Sequence, residues 1–172
     1  MPTPSRFLLP ITAAAAVVLL AGCASVANVA PGTPYKQVTQ QFGNPDSSCA
    51  EPNGGTRMVW SQEPSGEQAW ATTVGADKRV GPFTQVLTKT AFEQFDQGQW
   101  TAGDVRCALG PPAEMKVFPD NTEQVVWEYH FLTGDQEYDM LYVTFDRATN
   151  NMVGYSTSLD PTRSTLLLGG GR

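Results

Sequence analysis

From residue 32 onward the apolar positions of this chain fall into short runs of two periods, and the runs recur in the same order. Tyr35, Val38 and Phe42 stand three and four residues apart, which predicts a helix with one apolar face. Thr33 suits its N-cap, Pro34 its first position, and Gly43 and Pro45 its end. A loop follows that holds Cys49 and Pro52-Asn53-Gly54-Gly55, and then residues 57–62 (RMVWSQ), 68–74 (QAWATTV) and 83–87 read as strands.

The second half repeats this order behind a longer helical lead-in over 90–98. Thr90-Ala91-Phe92-Glu93 has the form of a capping box with Phe92 and Phe95 on one side. Thr101 with Asp104 starts a further short helix carrying Val105 and Leu109, and Gly110-Pro111-Pro112 ends it. Strands follow at 124–132 (QVVWEYHFL), 139–146 (DMLYVTFD) and 152–158 (MVGYSTS). A shift of 67 residues places Val38 on Val105, Phe42 on Leu109, Gly43 on Gly110, Pro45 on Pro112 and Trp60 on Trp127 without a gap. The chain has only four tryptophans, so the alignment of two of them at that offset argues for a true repeat. The predicted class is α+β: two tandem modules, at 32–88 and 89–160, each with short helices packed on a small antiparallel sheet.

Alternation assigns faces. Val125, Trp127, Tyr129 and Phe131 share one side of their strand, and Val126, Glu128, His130 and Leu132 the other. In the next strand Leu141, Val143 and Phe145 alternate with Met140, Tyr142 and Thr144. One face must cover the helices, where Trp60 and Trp127 are read as core residues. The other is half apolar, and Leu132, Met140 and Tyr142 on it are the candidate interaction residues. The competing reading buries them in a core between the two modules.

Composition narrows the class. At 172 residues, 41% hydrophobic and 16% charged, the chain suits one compact domain or two small ones. Seventeen acidic against eleven basic residues give a net charge of −6, and no basic run exists. Nucleic acid is therefore excluded as a partner, because phosphate binding depends on clustered Lys and Arg.

The first 22 residues read as a leader. Arg6 precedes an apolar stretch at 7–20, too short for a bilayer, which needs about 18 or more apolar residues. Leu20-Ala21-Gly22-Cys23 follows and resembles the lipobox of bacterial lipoproteins; the alternative is an ordinary secretory signal with a chance cysteine. The resemblance implies cleavage before Cys23, diacylglycerol on its sulfur and an acyl chain such as palmitate on its amine. The chain left after cleavage, 23–172, loses Arg6 and no acid, so its formal charge is −7. Ala24 after the cysteine, in place of Asp, implies the periplasmic face of the outer membrane in a Gram-negative cell. Residues 24–31, small and without periodicity, read as a tether from the membrane, and 161–172 as a flexible tail.

With Cys23 set aside, Cys49 and Cys107 remain as a pair in an oxidising compartment. Bridged, they would close a loop of 59 residues, worth about 4 kcal/mol in the chain-entropy model. Two buried thiols are the alternative. A metal pair finds little support, with no CxxC spacing and one histidine, His130.

The series Phe92-x-x-Phe95-x-x-Gly98-x-x-Thr101-x-x-x-Val105-x-x-x-Leu109-Gly110-x-Pro112, then Trp127-x-Tyr129 and Phe145-Asp146, resembles the SmpA/OmlA (BamE) family of outer-membrane lipoproteins. The resemblance covers 88–158 well and 31–88 in part, where the first helix is degraded. It implies modules similar to the repeats of the β-lactamase inhibitory protein, with helices on one face of an antiparallel sheet. It also implies an accessory role beside the machinery that inserts β-barrels into the outer membrane, with envelope proteins as partners.

No catalytic pattern holds together. Gly154-Tyr155-Ser156-Thr157-Ser158 lacks the second glycine of a nucleophile elbow, and any triad would rest on His130 alone. Asp135, Glu137 and Asp139 alternate as cation ligands do, but an EF-hand loop starting at Asp135 would place Met140 where Gly is needed and Arg147 where Glu is needed. They read as a solvated hairpin tip. Gly169-Gly170-Gly171 precedes no helix. The sequence thus predicts a non-enzymatic interaction or scaffold module without metal or cofactor, the alternative being a periplasmic inhibitor or ligand-binding module.

Overall fold

The computed structural model describes residues 25–134 and 137–163. The expected leader at 1–22, Cys23, Asp135 of the acidic hairpin tip and residues 164–172 of the expected tail lie outside the described residues.

Two units of similar order follow one another. Helix α1 (Tyr35–Phe42) precedes β1 (Ser47–Ala50), β2 (Thr56–Ser61), β3 (Ala69–Val74) and β4 (Thr84–Gln85), which form an antiparallel sheet in sequence order. Next come α2 (Lys89–Phe92), continued by a 3-10 turn at Glu93–Asp96, and α3 (Ala102–Leu109). A second antiparallel meander follows, of β5 (Glu114–Phe118), β6 (Asn121–Leu132), β7 (Tyr138–Asp146) and β8 (Met152–Leu159). The molecule is a mixed α+β protein with two four-stranded antiparallel sheets and a few short helices.

The faces of the sheets set the layers. Trp60 and Val74 on one face of the first sheet pack with Val38 of α1, with Val80 and with Val26. Val59, Ala69 and Ala71 on its other face join Phe92, Phe95, Val105, Leu109 and the inner face of the second sheet, from Trp127 to Phe145, in one larger core. The order of layers is therefore α1, first sheet, α2 with α3, second sheet. Burial of each large apolar side chain in this core contributes roughly 1.5–3 kcal/mol, so α3, apolar toward both sheets, is the main joint between them.

The same local devices stabilise both units. Helices α1 and α3 each have eight residues, and their first residues, 35 and 102, differ by the 67-residue offset read from sequence. Each ends on a glycine of positive φ, Gly43 at 79° and Gly110 at 89°. A strand side chain donates to each glycine carbonyl: Trp60 Nε1 to Gly43 and Tyr129 Oη to Gly110, both at 3.1 Å. At the helix starts, the amide of Tyr35 donates to the Lys78 carbonyl and that of Ala102 to the Asn150 carbonyl, both at 2.9 Å. Lys78 and Asn150 are the two non-glycine residues of positive φ among those described, at 60° and 58°. A left-handed residue at this point turns its carbonyl toward a helix end whose first amides have no intrahelical acceptor.

Several elements depart from the sequence reading. Strands β1 and β5 were not expected, because SSCA carries no apolar alternation and EMKVF buries no side chain. The strand expected over 83–87 shrinks to Thr84–Gln85: Val86 still donates to the Ala69 carbonyl, but Gln85 Oε1 accepts from the Ala69 and Leu87 amides. The cap of α2 is Thr88, whose hydroxyl accepts from the Ala91 amide, and not Thr90. Pro34, without a side-chain bond, caps α1, while Thr33 donates to the Ala30 carbonyl. The segment read as a tether is folded from Ser25: Val26–Asn28 make a 3-10 turn, and Val26 is buried in the core beneath α1. The segment read as a tail is likewise held at its start, where Arg163 pairs with Glu67 and lies 5.4 Å over the ring of Tyr138.

Candidate interaction face

The outer face of the second sheet is built by β6, β7 and β8 in strict alternation. Val126 lies opposite Thr144, Glu128 opposite Tyr142, His130 opposite Met140 and Leu132 opposite Tyr138. Ser156 and Ser158 extend the same rows on β8. The helices α2 and α3 pack with the opposite, inner face, from Trp127 to Phe145.

The three residues expected to form the contact surface are not equally available. Leu132 and Tyr142 are partly exposed, but Met140 is only 5% exposed and belongs to the fold. Polar pairing divides the rest. Lys116 Nζ stands 2.8 Å from Glu128 and 3.1 Å from Glu114, and these acids raise the lysine's pKa. One end of the face is therefore a charged cluster, with Tyr142 in the row of Glu128, and the other holds Leu132 opposite Tyr138, whose ring lies under Arg163.

His130 sits between these regions and is already engaged. Its backbone amide donates to Glu63 Oε1 at 2.5 Å, and its Nδ1 lies 2.8 Å from Glu63 Oε2. The Glu63 side chain, 1% exposed, comes from the turn between β2 and β3, so the first unit reaches across to the β6 edge where β5 has ended. Burial raises the Glu63 carboxyl above its ordinary range, against the hydrogen bonds from His130. Ser158 stands beyond Met140 in the same row as His130, one whole strand away, which is about 10 Å and too far for a hydrogen bond.

The joint between the sheets is the other polar site. Cys49 in β1 and Cys107 in α3 form a disulfide with Cα atoms 5.9 Å apart. Beside it Arg57 of β2 donates from Nε to the Cys107 carbonyl and from Nη2 to the Ala108 carbonyl, each at 3.0 Å. The guanidinium thus satisfies carbonyls at the C-terminus of α3, where a positive charge is favoured. Ser47 Oγ donates to the Arg106 carbonyl at 2.9 Å. Gly110 completes the approach: a Cβ there would stand 3.1 Å from Val59 Cγ1.

The exposed apolar residues that sequence reasoning missed lie on the edge strands. They are Met115, Val117 and Phe118 on β5, and Val153 and Leu159 on β8, between 45% and 60% exposed. The available signal was the run of Met115, Val117 and Phe118 before the Pro119-Asp120 turn, an apolar strand with nothing opposite it in sequence. Among the described residues no group of three or more His, Cys, Asp or Glu is placed to hold a metal, and no helix is long and apolar enough to cross a membrane. Comparison with models of protein families, with curated proteins and with solved structures finds no match.

Proposed function

We propose that this chain is a lipoprotein of the outer membrane, anchored through Cys23 on the periplasmic side, and that it acts by protein contact in envelope assembly or maintenance. The observation that carries the reading is the 14-residue apolar stretch at 7–20 leading into Leu20-Ala21-Gly22-Cys23. More than one acyl chain at such a cysteine makes anchoring effectively permanent, since each buried CH₂ adds about 0.8 kcal/mol.

Tandem BamE-like modules are part of this proposal. The equal lengths of α1 and α3, their 67-residue spacing and the matched helix-end bonds support a duplicated unit. In that scheme the outer face of the first sheet receives the helices of the second module, and the outer face of the second sheet has no successor. Leu132, Tyr138 and Tyr142 then form the contact surface for an envelope protein, and no catalysis is assigned to the molecule.

Crosslinking in intact cells from a photoreactive residue at Tyr142 tests the reading. Recovery of barrel-assembly or other outer-membrane proteins is expected. Recovery of one periplasmic enzyme alone would replace the scaffold role with the inhibitor alternative. A Cys23→Ser chain that still partitions with membranes like the wild type would overturn the anchor.

A further inference from the structure

The fold begins almost at the anchor. Ser25 is already in place, its hydroxyl accepting from the Ala27 amide, and Val26 is buried with Val38, Trp60, Val74 and Val80. Only Ala24 separates Ser25 from Cys23, so their Cα atoms stand no more than about 7 Å apart. A lipid on Cys23 therefore cannot hold the body at a distance. It must bring the surface around Ser25 against the bilayer.

That surface is chemically distinct. Between Ser25 and Pro45 the only charged residue is Lys36, although the chain from Cys23 onward carries a formal −7. The outward side of α1 presents Lys36, Gln37, Gln40 and Gln41, all exposed. Ser25 borders two hollows. One is lined by Asn28, Val29, Gln37, Gln41 and Phe42. The other, about 570 Å³, is lined by Val26, Phe42, Trp60 and Trp70 and bordered by the carboxylate of Asp46. An acidic body meets least repulsion from anionic headgroups through a face poor in acids, and indole rings favour the membrane–water interface.

Resting on the lipid anchor proposed above, we infer that the α1 layer, with Ser25, Gln41, Phe42 and Trp70, is a lipid-facing surface that lies directly on the bilayer. The layer order then fixes the opposite side. Three layer spacings of about 10 Å each separate α1 from the second sheet, so the face bearing Leu132 and Tyr142 projects about 30 Å from the membrane. A partner reaches that face from the periplasmic space and not from within the bilayer.

The test uses the full lipidated protein, extracted from membranes and reconstituted into phosphatidylethanolamine–phosphatidylglycerol vesicles that contain a headgroup quencher. An environment-sensitive fluorophore is placed at Gln41→Cys on α1 or at Ser156→Cys on β8, with wild-type circular dichroism as the check on folding. The expected result is strong quenching at position 41 and at least fivefold weaker quenching at 156. Inserting a Gly-Ser spacer of about twelve residues after Ala24 should abolish the difference while the protein still co-sediments with vesicles. Equal quenching at both positions, or no effect of the spacer, in a protein that co-sediments would overturn the orientation and leave the anchor standing. Loss of co-sedimentation together with a mass spectrum lacking lipid on Cys23 would overturn the anchor, and the orientation with it.

Discussion

Glu63 and His130 occupy sequence positions 67 residues apart, the same spacing that relates α1 to α3, and they bond to each other across the two sheets. The Glu63 carboxylate serves as the cap that β6 needs once β5 has ended. Its burial raises its pKa from the ordinary 4.5, and the sign of the consequence follows from linkage. A carboxyl whose folded pKa lies above its unfolded one contributes most when both states are protonated, and that contribution is lost as pH rises through the folded value. The stability of the wild type relative to Glu63→Gln should therefore fall as pH increases from about 4 toward 7. Urea midpoints across that range check it, and a difference that grew with pH would contradict the burial argument.

Gly110 and Gly43 share a left-handed backbone but not their surroundings. Alanine at either position meets the penalty of a positive-φ, extended-ψ backbone, about 1–3 kcal/mol, whereas only at Gly110 does the new methyl also press on Val59. Gly110→Ala should lower stability more than Gly43→Ala by about 1 kcal/mol or more. Equal losses in thermal unfolding would show that α3 does not approach the first sheet so closely.

Arg57 fastens the C-terminus of α3 through two charged hydrogen bonds. Arg57→Met keeps the aliphatic stem and removes both, which should cost about 2 kcal/mol. Arg57→Lys should restore only part of that, because a single ammonium does not present the planar fork that reaches both carbonyls. Full recovery with lysine in denaturant unfolding would reduce the role of Arg57 to its charge.

The Cys49–Cys107 bridge joins β1 of one sheet to the helix that packs on the other. Replacing both cysteines by serine should destabilise the protein by about 4 kcal/mol if the unfolded chain gains the full loop freedom. The wild type under reducing conditions should behave like the double variant. A reduced protein as stable as the oxidised one would mean that the loop is held by other contacts.

Tyr142 and Met140 neighbour one another on β7, yet their substitutions should separate. Tyr142→Gln removes the ring of a partly exposed side chain without setting a like charge opposite Glu128, and should weaken crosslinking from a photoreactive residue at Ser156 with a change in stability under about 1 kcal/mol. Met140→Ala removes a buried side chain and should cost about 2–3 kcal/mol, with binding preserved in the folded fraction. Crosslinking yield and thermal midpoint, measured on both variants, distinguish the two effects.

Periodicity was enough to place α1, α3, β2, β3, β6, β7 and β8, because each buries one face and its apolar residues recur with the period of that face. β1 and β5 escaped for the opposite reason: edge strands with little buried surface leave no alternation to read. Lys78 and Asn150 could not be found from residue type alone, since a lysine at φ 60° is chosen by the helix end it serves and not by its own preference. On the interaction face the alternation selected Leu132, Met140 and Tyr142 together, and only packing showed that Met140 is buried.

By itself, the sequence determined the α+β class, the 67-residue spacing of matching residues, the apolar stretch at 7–20 and the acidic balance, all of which are properties of order and composition along one dimension. The tertiary structure decided that α3 is shared between two sheets, that Cys49 and Arg57 of the first sheet fasten it, and that Glu63 closes the edge of β6. It also decided that Val26–Asn28, within the segment read as a tether, form a 3-10 turn with Val26 buried. These depend on which faces meet, and the same local pattern is compatible with many arrangements of its layers until long-range contacts and hydrogen bonds select one.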